Sequence, residues 1–79
     1  MTVIGIRKSS FKGDNGDTVS GMNIYVSYPI DQDKGSGEAC DRLFMTVDKL
    51  LEGGYNPQVG DVVNVEYNKY GKPARISLA

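Results

Sequence analysis

The chain has 79 residues, 39% of them hydrophobic and 24% charged, with a formal net charge of −1. That composition belongs to a folded domain, yet surface-to-volume scaling leaves so short a chain too little interior for a buried multi-residue active site. There is no histidine and Cys40 is the lone cysteine, so an internal disulfide and a His/Cys zinc or cluster site are excluded.

The opening Met1–Arg7 is too short in its apolar run for a secretory leader or a membrane span, so a cytoplasmic protein without a membrane partner is expected. From Val3 to Ser10 the side chains alternate, Ile4, Ile6 and Lys8 against Val3, Gly5 and Arg7, which predicts a strand running from core into water. Phe11–Asp17 holds two glycines flanking Asp and Asn, the residues a hairpin loop needs for positive φ. A long second strand follows over Thr18–Ile30, with Met22, Ile24, Val26 and Tyr28 on one face and Val19, Gly21, Asn23, Tyr25 and Ser27 on the other. Gly21 is expected to mark a bulge.

Pro29 ends that strand, and Asp31–Asp41, acidic, glycine-rich and aperiodic, reads as a mobile excursion. Counted from Asp31, the places where a calcium loop of EF-hand type needs glycine and glutamate hold Ser36 and Arg42, so a solvated loop is expected there. Leu43–Val47 predicts a third strand, and Asp48 is expected to cap a brief helix running through Leu51 and stopped by Gly53-Gly54. Tyr55–Gly60 connects to a final hairpin, in which Asp61–Tyr67 and Pro73–Leu78 flank the turn Asn68–Lys72.

This order predicts one all-β domain over residues 1–79, a small five-stranded Greek-key barrel of OB type with one short helix between strands 3 and 4. An SH3-like barrel is the nearest competitor. It would reduce the helix to a single 3₁₀ turn.

Catalysis has little to work with, since the thiol has no imidazole partner and no glycine-rich loop precedes a helix to cradle phosphate. No enzyme activity, cofactor or small-molecule substrate is expected. Binding fits better. The chain has five tyrosines and two phenylalanines, and if Ile24, Val26, Leu43 and Met45 line the core then Tyr25 and Phe44 face away from it. Arg7, Arg42 and Arg75 lie nearby in the pattern. Each hairpin tip pairs a ring with cations, Phe11 with Lys12 in the first and Tyr70 with Lys69 and Lys72 in the second, and Lys8 lies near the first. Rings for stacking and cations for phosphates are what an unpaired nucleic-acid strand requires. Acidic residues Asp31, Asp33, Glu38 and Asp41 crowd a different segment, so the net charge hides a segregation.

The opening Met-Thr-Val-Ile-Gly-Ile-Arg, the Gly/Asp-containing first hairpin, the second strand ending Ser27-Tyr28-Pro29, and the closing Val59-Gly60 … Tyr67-Asn68-Lys69-Tyr70-Gly71-Lys72 resemble the single-stranded-DNA-binding, helix-destabilising proteins of filamentous phages. The resemblance implies a dimer of OB-like barrels that coats single-stranded DNA without reading sequence. It places Tyr70 where the family has the aromatic before glycine in a dimer-associated hairpin, and Lys12 in the first, DNA-gripping hairpin. That loop differs here: Asp14 and Asp17 stand where the family generally carries arginines.

Two functions follow as expectations. One is a sequence-independent single-stranded-DNA-binding protein of a phage or mobile element. The other is a protein–protein adaptor of small β-barrel type, SH3-like, using an exposed edge or the acidic loop. A homodimer is expected for either, because so small a chain gains by burying apolar surface against a copy of itself, with a protruding hairpin offering a two-fold interface.

Overall fold

Six elements follow one another in the computed structural model, which describes all residues from Met1 to Ala79: β1 (Thr2–Lys12), β2 (Thr18–Pro29), β3 (Glu38–Thr46), α1 (Val47–Gly53), β4 (Val63–Tyr67) and β5 (Pro73–Leu78). The first three strands form one antiparallel sheet with β2 in the middle, and the last two form a separate antiparallel hairpin. The two ladders meet at the start of β1. There Val3 N–H donates to Asp61 O and Val63 N–H to Met1 O, both at 2.8 Å, while Thr2 bridges Val62. No ladder joins β3 to β5, so the sheets stop short of a closed barrel.

Alternation works as expected in β2 and β3. Ile24 and Val26 are fully buried, and Leu43 and Met45 nearly so, where they meet Val3, Leu50, Tyr55, Val63 and Ile76 in one core cluster. In β1 the alternation breaks, because the register against β2 shifts between Val3 and Gly5. Ile4 is the extra residue and is half exposed, which lets both Val3 and Ile6 turn inward, opposite Val26 and Ile24. The bulge therefore sits at Ile4 and not at Gly21, whose pairing with Ser9 and Thr46 is regular.

Other boundaries differ from the expectation for identifiable reasons. The excursion expected over Asp31–Asp41 is shorter and hydrogen-bonded, since Lys34 and Gly35 N–H donate to Asp31 O, Ile30 N–H donates to Gly37 O, and Glu38–Asp41 continue the ladder of β3. Val47, expected in the third strand, opens α1. The helix is capped by Thr46, not Asp48: the Thr46 hydroxyl accepts from Lys49 N–H at 3.2 Å, and Asp48 lies in the first turn. Gly54 ends it in the left-handed region at φ 66°. Seven residues of α-helix remove the single 3₁₀ turn on which an SH3-like reading depended. The outer half of the β1–β2 ribbon, Ser9 to Ser20, buries no side chain and reaches beyond the core, in keeping with overall dimensions of 47 × 23 × 23 Å.

Tyr55 ties the segment after the helix to the β1–β4 junction. Its hydroxyl donates to the Asp61 carboxylate at 2.6 Å, and the same oxygen accepts Gln58 N–H at 3.1 Å. Burial, reinforced by that hydrogen bond and by the charge of Asp61, pushes the phenol up to about 12. The folded phenol thus keeps its proton to a higher pH than the unfolded one, which ionises near a pKa of about 10. Its contribution is fully present below pH ~10 and drains away as the pH climbs toward the folded value. Tyr55→Phe should cost about 1–3 kcal/mol at neutral pH and flatten the alkaline decline. Urea titrations across the alkaline range measure this, and an equally steep decline in the variant would refute the role of this pair.

Candidate nucleic-acid interface

Cross-strand neighbours share a face of a sheet, so the register decides which side chains meet. On the side away from the core it sets Gly5, Tyr25 and Arg42 in one row and Arg7, Asn23 and Phe44 in the next. Beyond these come Ser9, Gly21 and Thr46, and then Phe11 opposite Val19. Arg7, Phe11, Tyr25, Arg42 and Phe44, expected from scattered parts of the chain, thereby gather on one surface.

Two glycines seat the rings. A Cβ on Gly5 would lie 3.6 Å from Cδ2 of Tyr25, so that ring lies beside a bare backbone. At Gly21 the approach is closer, since a Cβ would fall 2.5 Å from Cζ of Phe44 and 2.6 Å from the Met45 carbonyl oxygen. Phe44 is half-buried for this reason. Its ring also meets Phe11, with centroids 5.7 Å apart and planes inclined by 50°, an arrangement aromatic pairs favour. Phe11 remains half exposed.

Beside this face, the unpaired gap between β3 and the β4–β5 hairpin opens as a groove of about 470 Å³. Arg42, Lys49 and Lys72 line it together with Phe44, Tyr67, Thr46 and Pro73, and Asp41 is the acidic member. The Asp41 carboxylate accepts a hydrogen bond from the Tyr28 hydroxyl at 3.0 Å, which holds that phenol above its ordinary value. Lys49 and Tyr67 were not among the expected site residues. Lys49 comes from the first turn of α1, whose start over β3 depends on the Thr46 cap, and Tyr67 is the last residue of β4 before the turn.

The second hairpin tip is built by Asn68, whose side-chain oxygen accepts from Tyr70 N–H at 2.9 Å and Lys72 N–H at 3.0 Å. Gly71 supplies the left-handed residue at φ 75°. Tyr70 is 74% exposed, with Lys69 Nζ 5.2 Å from its ring centroid. Three expected residues lie elsewhere. Lys8 and Lys12 pair with Met22 and Thr18 on the reverse of the ribbon, and Arg75 stands opposite Glu66, lining a depression with Lys49 and Glu52. No group of His, Cys, Asp and Glu side chains is placed to hold a metal ion, and no helix is long and apolar enough to cross a membrane.

Comparison with protein-family models, curated proteins and solved structures returned no match.

The seating of Phe44 has a direct test. Gly21→Ala should destabilise the fold by about 1–3 kcal/mol and displace the ring, because neither the phenyl edge nor the Met45 carbonyl can retreat freely. Gly5→Ala meets ordinary van der Waals distances and should be tolerated. Thermal unfolding of the two variants compares them, and equal stability would show that the notch under Phe44 is not tight.

Proposed function

We propose that this protein binds single-stranded DNA without reading its sequence, as a coating protein of a phage or mobile element acting in the host cytoplasm. The observation that carries the proposal is the sharing of one surface by Tyr25, Phe44, Phe11, Arg7 and Arg42, with Lys72 and Lys49 across the adjoining groove. Rings accept bases of any identity and cations neutralise the phosphates between them. A strand laid along this surface would cross the rings, pass Arg42 and enter the groove toward Lys72, with Tyr70 reaching out at the hairpin tip.

The strand order supports the finer fold reading. Followed through the Thr2–Val62 bridge it runs β3-β2-β1-β4-β5, the order of a Greek-key barrel of OB type whose last seam is unzipped. The ligand surface in that class lies on strands 2 and 3 and on the loops joining strands 1–2 and 4–5. Resemblance to the phage helix-destabilising proteins points the same way. The adaptor reading retains one favourable observation, the free edge of β3, and a pull-down yielding a salt-insensitive protein complex without nucleic acid would select it.

Fluorescence anisotropy with an oligo-dT probe provides the test. Binding should weaken steeply with salt, and Arg42→Ala and Lys72→Ala should each reduce the slope of log affinity against log salt by about 0.7. Phe44→Ala should cost about 1–3 kcal/mol of binding, whereas Lys8→Ala on the reverse of the ribbon should change affinity little. No binding at tens of micromolar protein in low salt, or equal losses at Lys8 and Arg42, would overturn the proposal.

A further inference from the structure

The free edge of β3 is long, and its backbone pattern can be read. Ile30 N–H donates to the Gly37 carbonyl at 2.9 Å, so Gly37 turns its polar groups toward β2. The register then runs unbroken from Pro29↔Glu38 to Gly21↔Thr46. In an antiparallel ladder alternate residues address opposite neighbours. Ala39, Asp41 and Leu43 therefore bond toward β2, while Glu38, Cys40 and Arg42 aim N–H and C=O away from it, toward no other strand. An edge left this way is a template for another strand. From Glu38 to Arg42 the strand is exposed at every residue but Ala39, with Asp41 and Arg42 at the margin of the groove that Gly71, Lys72 and Pro73 of the β4–β5 hairpin help to line.

We infer that this stretch pairs with the same stretch of a second copy, antiparallel, about a two-fold axis at Cys40. The side chains select that partner and that register. With the axis at Cys40, Glu38 lies opposite Arg42 of the second copy, Cys40 opposite Cys40, and Arg42 opposite Glu38, so each charge meets its opposite. The residues with outward-pointing backbone groups would all form hydrogen-bonded pairs in this register. An axis at Glu38 or at Arg42 sets like charges against each other, which destabilises a cross-strand pair, and an axis at Ala39 or at Asp41, which joins the same backbone groups, sets neither charge opposite its complement. Glu38, Cys40 and Arg42 are all exposed and all on the face that carries Tyr25 and Phe44. The interface is distinct from the second hairpin, where the resemblance to the phage proteins places a dimer contact. If the single-stranded-DNA reading holds, on which this consequence rests, pairing also joins the two ring-bearing faces into one six-stranded surface.

Sedimentation equilibrium of the full chain, reduced and without nucleic acid, tests the inference. The wild type should dimerise, and Glu38→Arg or Arg42→Glu alone should weaken the dimer by about tenfold, since each turns two attractive pairs into repulsive ones. The Glu38→Arg/Arg42→Glu double variant should restore wild-type association. A short bismaleimide should also link Cys40 to Cys40 in the wild type, a readout that needs no substitution. A wild type that stays monomeric at roughly 10⁻⁴ M, a dimer indifferent to both single changes, or a double variant no better than the singles would overturn it. Mass is read without DNA, so failure here leaves the anisotropy result standing, and the reverse holds equally.

Discussion

Strand β2 is the constraint on which the rest depends. It hydrogen-bonds to β1 on one side and β3 on the other, so its period of two assigns the side chains of all three strands to one face or the other. Ile24 and Val26 are buried completely, and this fixes the register because a slip by one residue would carry both into water. Tyr25 and Asn23 are consequently turned outward, and so are the residues opposite them: Arg42, Phe44 and Arg7. The candidate interface is thus the reverse of the core. The same ladder holds both.

The second determinant is a ladder that does not form. Pro73 opens β5 without an N–H to donate, and the β4–β5 register shifts between Glu66 and Tyr67, next to the turn. Both features act at the end of the hairpin that lies beside β3, and both work against regular pairing there. The gap that results is lined by Arg42, Lys49 and Lys72. Had β5 zipped onto β3, the cations would flank a closed seam. As it stands they flank a groove, and the edge of β3 keeps its unpaired backbone groups.

Much of this was legible in the sequence, and the failures have physical causes. Alternation in β2 and β3 was strong enough to turn Tyr25 and Phe44 outward on paper. In β1 the run Val3-Ile4-Gly5-Ile6 alternates without visible interruption, so nothing marked Ile4 as a bulge; only the need to bury both Val3 and Ile6 places it there. Gly21 was recognised as special for the wrong reason. It has no register shift, and its missing Cβ makes room for a ring from the neighbouring strand, a contact that no local pattern encodes. Thr46 and Asp48 are both good capping residues, and the helix began at the earlier one because β3 ends there. That displacement also hid Lys49. Lys8 and Lys12 fell on the reverse of the ribbon because proximity in sequence to a hairpin tip says nothing of face, whereas parity does.

The acidic total is no obstacle to a polyanionic ligand once distances are counted. From the Glu38 row to the Arg42 row is four residues of strand, about 13 Å, and Asp31 and Asp33 lie beyond the Glu38 end of the ladder. Within one copy of the chain that exceeds the Debye length of about 8 Å at physiological ionic strength, so those carboxylates are largely screened from that copy's Arg42 and Phe44. The acids of the first hairpin are occupied differently. The Asp17 carboxylate accepts from the Asn15 side-chain amide at 3.0 Å, and Asp17 N–H donates back to Asn15 at 3.2 Å, a local clasp within the turn. Asp17, one of the departures from the phage-protein pattern, thus has a structural reason to be where it is. Among the residues that line the groove, the cations Arg42, Lys49 and Lys72 face one carboxylate, that of Asp41, which Tyr28 already engages.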